Sequence, residues 1–203
     1  MLTIKEQYPH LFVPRDIQDE LSSLTTNGDS PELALKKVSL EYRAKVLNAL
    51  EKKYNFEIYP LLKACLLAID HETEFNFDYT RLLSQVNGKA YEFLGFCKIR
   101  EDEFDLLAVQ PAYRPLEEYD YETEEDFFLA TDWDREHPHD YMLFGAGNGG
   151  SDRFLIGMRG HNYGKVYYWC VGGPYLPPGH TYAPLLIAHS FEDFLEGLSD
   201  PWQ

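Results

Sequence analysis

From residue 31 to residue 54 the apolar side chains recur at spacings of three and four. Leu35, Val38, Tyr42, Val46, Ala49 and Leu50 share one stripe, and Lys36, Lys37, Arg43, Lys45, Lys52 and Lys53 lie mostly off it. That period predicts one amphipathic helix. Ser30 supplies an N-cap hydroxyl, and Pro31 suits the first helical position. Pro60 starts a second helix over 61–69, apolar on nearly every side and therefore expected to be buried. Residues 79–86 predict a third helix, stopped by Asn87 and Gly88.

Near Ala90 the period changes. Residues 91–99 are rich in aromatics and predict a strand, and residues 104–109 predict another. Pro111 and Pro115 interrupt the chain, and 124–130 predict a short helix. A strand over 141–144 enters a glycine run at 145–150. Phe154, Ile156 and Met158 then alternate on one face of a strand, residues 159–164 make a turn, and 165–170 return as its hairpin partner. After a proline-rich loop at 174–178, residues 184–189 predict one more strand. The last helix has a named start: Ser190 is its N-cap, and Asp193 occupies a capping-box-like position at the positive end of the dipole. Phe191, Phe194, Leu195 and Leu198 form its stripe. Helices at both ends of an antiparallel meander predict an α+β fold, an antiparallel sheet flanked by helices.

Length and composition narrow the class. A chain of 203 residues, 44% of them hydrophobic, can bury one sizeable core. The most apolar run, 61–69, is broken by Lys63 and is far too short to cross a bilayer. The first ten residues carry Lys5, Glu6 and Tyr8 and hold no secretory apolar stretch. Three cysteines, Cys65, Cys97 and Cys170, are odd in number and far apart, which points to reduced thiols and a cytoplasmic location.

Charge adds more. Residues 1–100 carry 14 acidic and 13 basic side chains, whereas residues 101–140 carry 15 and 2. Of the formal charge of −16, this one block therefore supplies −13. It would repel a phosphate backbone, so nucleic acid is not the expected partner, and it would steer a basic protein toward itself. Tyr119, Tyr121, Phe127, Phe128 and Trp133 are interleaved with the acids and can act as interface anchors. The expected partner-binding residues are Glu117, Glu118, Tyr119, Asp120, Tyr121, Glu122, Glu124, Glu125, Asp126, Phe128, Asp132, Trp133 and Asp134.

Other chemistry is less well supported. Gly145, Gly147 and Gly150 satisfy G-x-G-x-x-G, but a dinucleotide site needs a helix after that run, and a strand is predicted there. A tight glycine turn is the better reading. Asp132, Asp134, His137, His139 and Asp140 have metal-ligand types at close spacing, yet they fit a solvated acidic loop better than a metal centre. Ser190 is better used as a cap than as a nucleophile. Cys170 beside Trp169 reads as core. His161 falls in a turn, and His189 precedes the cap and is either buried or idle. No catalytic residue, metal or cofactor is expected.

The last 63 residues resemble the SMI1/KNR4, or SUKH, superfamily. The resemblance rests on Gly149, Gly150, Ser151 and Asp152 after a strand; on the strand from Phe154 to Met158; on Val166, Tyr167, Tyr168 and Trp169; and on the run from Ala188 through Ser190 and Phe191 to Leu195. Each piece is weak alone, and the ordered set is specific. Ser151 is an insertion relative to the usual run. Family members open with a helix and an Asn-Gly turn, for which Asn27-Gly28 and Asn87-Gly88 both qualify. The second is favoured because strands follow it. On that reading residues 1–75 form a helical N-terminal extension packed on the core, and residues 76–203 the SUKH-like domain.

The resemblance implies a non-catalytic binding protein. Bacterial members are mostly immunity proteins that block a cognate toxin domain, often a nuclease. Fungal members regulate cell-wall synthesis and signalling through protein contacts. The leading expectation is therefore an immunity protein with a basic toxin partner. The alternatives are a regulatory scaffold and, at greater distance, a metal-dependent hydrolase built on 132–140. Oligomeric state is left open.

Overall fold

A computed structural model describes residues 2–76, 81–97, 108–109, 141–147, 152–170 and 184–199. The N-terminal part is mostly helical. Helix α1 (Ile4–Gln7) starts in a capping box made by Thr3 and Glu6. Strand β1 (Phe12–Pro14) follows, then α2 (Gln18–Thr26), α3 (Pro31–Lys37), α4 (Leu40–Tyr54) and α5 (Pro60–Ala68). Strand β2 (Thr73–Phe75) returns to pair antiparallel with β1.

The helix expected over 31–54 is two helices. Ser39 sits in an extended conformation, and its Oγ accepts from the Tyr42 amide (3.3 Å) while donating to the Lys36 carbonyl (2.6 Å). One side chain therefore closes α3 and opens α4. The stripe divides with it: Leu35 is 53% exposed, Val38 packs in a small cluster with Leu24 and Ala34, and Val46 and Leu50 join the main core. At the front of α3 the expectation holds, because Ser30 Oγ accepts from the Leu33 amide at 3.2 Å with Pro31 at the first position. Helix α5 is buried through Leu62, Cys65, Leu66 and Ala68, as its composition requires.

The helix expected over 79–86 is instead a strand, β3 (Arg81–Leu83). Arg81, Leu82, Leu83 and Ser84 alternate exposed and buried, the period of a strand. Leu82 is held between Tyr91 of β4 (Ala90–Glu92) and Leu198 of β11 (Leu198–Ser199). Asn87 and Gly88 turn the chain between β3 and β4, with Gly88 at φ +66°. The single strand expected over 91–99 is also divided. After β4 the chain crosses at Phe93 and Leu94 into β5 (Gly95–Phe96) of a different sheet.

That larger sheet has the order β10-β9-β8-β7-β5 and is antiparallel throughout. Its strands are β7 (Tyr141–Ala146), β8 (Asp152–Gly157), β9 (Val166–Cys170) and β10 (Leu185–Ala188). Strand β6 (Ala108–Val109) lies on the β7 edge that β5 also uses. The hairpin of β8 and β9 and the strand before the last helix are where the hydrophobic pattern placed them. Helix α6 (Phe191–Gly197) begins at Ser190, whose Oγ accepts from the Asp193 amide at 3.0 Å. Leu198, expected on the helix stripe, is buried as the first residue of β11.

One continuous core joins α4 and α5 to Met142, Phe144, Phe154, Ile156 and Met158, and to Phe191, Phe194 and Leu195 of α6. Ile4, Leu11 and Phe75 belong to the same cluster. Aromatic rings dominate it, packed edge to face as their quadrupoles favour. Because the Ser190 cap orients α6 over this core, Ser190→Ala is expected to cost about 1 kcal/mol in urea unfolding. No change in midpoint would show that the cap is dispensable.

Candidate interaction surface

The thirteen residues expected to bind a partner, from Glu117 to Asp134, lie outside the described residues, as do the possible metal ligands at 132–140. The structure does place the two ends of the segment that contains them. Val109 of β6 pairs with Tyr141 of β7, and Ala108 pairs with Met142. The residues that flank 110–140 on either side are therefore directly opposed on one sheet edge. That segment holds 11 acidic and 2 basic side chains, a net of −9.

The residues of the family-like motif divide between the two faces of the sheet. Phe191 and the Ser190 cap belong to the core side. Tyr167 and Trp169 point to the other side, where they join Tyr141, Leu143 and Leu155 in a second buried cluster. Two hydrogen bonds close one end of that cluster: Tyr167 Oη donates to Asn162 Oδ1 (2.7 Å), and Asn162 Nδ2 donates to Tyr141 Oη (3.0 Å). The two tyrosine rings meet edge to face at 5.3 Å. Arg153 stands opposite Trp169 across the strands, and burial pushes its guanidinium below the usual arginine range. The Trp169 Nε1 is buried without a hydrogen-bond partner among the described residues.

The glycine run serves backbone packing. A side chain at Gly145 would collide with the Phe93 ring, and one at Gly147 would meet the Glu92 carbonyl at 2.6 Å. Gly147 N donates to the Asp152 carbonyl (2.8 Å), so Asp152 closes the connection through its backbone. Gly149 and Gly150 lie outside the described residues. A strand, β8, follows this run, so the helix N-terminus that a pyrophosphate would need is not there.

A second surface feature escaped sequence reasoning. Tyr59, at the start of α5, donates its hydroxyl to both Glu192 oxygens (3.2 and 3.0 Å). Burial, followed by this carboxylate, pushes the Tyr59 phenol up to about 12. Tyr163, from the turn between β8 and β9, packs against Tyr59 at 5.3 Å. Burial and then the charges of Glu57 and Glu51 raise its phenol, and burial followed by Glu196 and Glu192 raises that of Tyr8. The pair Glu192 and Glu196, four apart on α6, was legible as one helix face. Its meeting with Tyr59 was not, because Tyr59 is remote in sequence.

His161 and His189 are exposed. Cys65 is buried, and burial raises its thiol, which makes it inert; Cys97 is half-buried. The Cys170 side chain lies outside the described residues. Among the described residues no group of three His, Cys, Asp or Glu side chains is placed to hold a metal ion, and no helix is long and apolar enough to cross a membrane.

A family model, described as the SMI1 / KNR4 family (SUKH-1), matches residues 43–197. The match begins inside α4 and ends with α6, so it takes in α5, α6, the larger sheet and the acidic segment and leaves out α1, α2 and α3. No curated protein and no solved structure matches the chain.

Proposed function

This chain belongs to the SMI1/KNR4 (SUKH-1) family, and on that footing we propose that it acts by binding another protein, as an immunity protein that neutralises a cognate toxin domain. One observation carries the choice of partner. Residues 110–140 carry a net −9, a concentrated negative field, and the chain enters and leaves them at the paired residues Val109 and Tyr141 of one sheet edge. Such a field raises the encounter rate with a basic surface and rejects a nucleic acid. The interleaved Tyr119, Tyr121, Phe128 and Trp133 supply apolar anchors once the charges have oriented the pair. A toxin that grips phosphate, as a nuclease does, offers the matching basic groove. The mode is stoichiometric occlusion in the cytoplasm with no chemical step.

The test is affinity capture with the full chain from its native cells, followed by association kinetics. The comparison variant carries Glu117, Glu118, Glu122, Glu124 and Glu125 as Gln and Asp120 and Asp126 as Asn. The expected result is one stoichiometric toxin-domain partner whose association rate falls about 10- to 100-fold in the variant, and falls likewise in high salt. Equal rates for the two chains would overturn the role of the segment, and capture of several weak partners with no toxin among them would overturn the immunity reading.

A further inference from the structure

We propose that the Tyr59–Tyr163 pair and the carboxylates of Glu57, Glu192 and Glu196 form a second recognition point, one that seats an arginine or lysine side chain of a protein partner. The inference rests on the reading of the chain as a protein-binding module, but uses different residues.

The arrangement joins two kinds of group that favour a cation. Tyr163 is 39% exposed, and its ring is braced by Tyr59 at 5.3 Å. Tyr59 in turn rests edge to face on Phe191, which is fully buried, at 6.4 Å. The exposed ring is therefore backed by core rather than swinging free, so little side-chain entropy is lost when a partner docks on it. A guanidinium or ammonium over such a ring is attracted by its quadrupole. Carboxylates with no cation of their own lie close by: Glu192 bonds Tyr59, the charge of Glu57 acts on Tyr163, and Glu196 is one turn from Glu192 on α6; among the described residues none of the three forms an ion pair. Glu51, by contrast, is neutralised by Lys63 at 2.8 Å. Tyr59 uses its one hydroxyl proton on Glu192, which leaves lone pairs on that carboxylate for an incoming N–H. An aromatic centre rimmed by unpaired carboxylates is complementary to a basic side chain on a protein, and Arg fits best because its planar fork can stack and pair at once.

Backbone geometry holds the site in shape. Gly164, at φ +79°, allows the turn to lie against Tyr59, and a side chain there would meet the Tyr59 ring at 2.6 Å. Four separate stretches supply the parts: the α4–α5 connection, the start of α5, the β8–β9 turn and α6.

The probe is a hexa-arginine peptide, titrated into the full chain and read from the assigned ring signals of Tyr59 and Tyr163 by carbon–proton NMR. The acidic segment would also attract this peptide, so the titration is repeated in the variant with seven neutralised residues. The expected result is saturable movement of both rings in both chains. Affinity read at Tyr59 should fall at least five-fold in Tyr163→Ala, and likewise in the double variant Glu57→Gln, Glu196→Gln. Neither change touches a buried side chain, and unaltered core methyl signals verify folding. Ring signals that stay still, that move only in the chain with an intact acidic segment, or that titrate equally in Tyr163→Ala would overturn the proposal. Slow partner association in the neutralised chain bears on the segment alone, so the two readings fail separately.

Discussion

Phe93→Ala is expected to destabilise the protein by about 3–5 kcal/mol, the range for removing a large aromatic side chain from a closed core. Phe93 is fully buried and lies between β4 and β5, where the chain passes from the small sheet to the large one. Its ring touches those of Phe75, Phe96, Phe144, Phe154 and Phe194, at centroid distances from 5.0 to 6.0 Å. Those partners come from β2, β5, β7, β8 and α6, so the cavity would open where five elements meet. They are aromatic and braced by one another, so they cannot collapse into the space easily. Urea unfolding with an unchanged m-value would measure the loss. Phe96→Ala is the comparison: Phe96 is only half-buried and should cost less. A loss under about 1.5 kcal/mol for Phe93→Ala, well below the usual range, would show that the ring is not central.

The second large effect is expected at Gly157, at the end of β8. Its amide donates to the Lys165 carbonyl (2.9 Å), and its own carbonyl accepts from Gly164 (2.9 Å). It also forms a bridge with Tyr163. A methyl group at this position would overlap the backbone carbonyl of Asn162. Backbone cannot rotate aside as a flexible side chain can, so the turn over 160–164 must move. Asn162 would move with it, and its bonds to Tyr141 and Tyr167 would break. Gly157→Ala should therefore cost about 3 kcal/mol, the upper part of the range for overpacking. Gly160→Ala, in the same turn, is the control. Gly160 has φ +57° and open space around it, so only the left-handed conformation is penalised, by about 1 kcal/mol. Equal losses at the two positions would contradict the steric account.

How much of this was legible depends on the range of the interaction. The caps at Ser30 and Ser190 were readable, since a hydroxyl and an amide three residues on make a local bond. The β8–β9 hairpin was readable because alternation and turn residues lie within one short stretch. Ser39 shows a local signal outweighed by a stronger one. The apolar stripe runs on through it, but the hydroxyl spends itself on two backbone groups and the helix breaks. Residues 81–83 show the opposite case. Their adjacent leucines suit a helix or a strand equally, and Leu198 and Tyr91 decide for the strand. Of the candidate site, the charge of the acidic segment was fully readable, and its shared anchor point at Val109 and Tyr141 was not.

By itself, the sequence determined the caps, the order of the C-terminal strands, the family and the confinement of the negative charge to one block. These follow from period, hydrogen bonds between near neighbours and a sum over residues, none of which needs a partner from elsewhere. Tertiary structure alone decided that Tyr167 and Trp169 face away from Phe191, that Phe93 joins two sheets, and that Tyr59, Tyr163 and Glu192 meet at one surface. Each of these is a contact between distant stretches, and its free energy exists only after the chain has closed the loops between them.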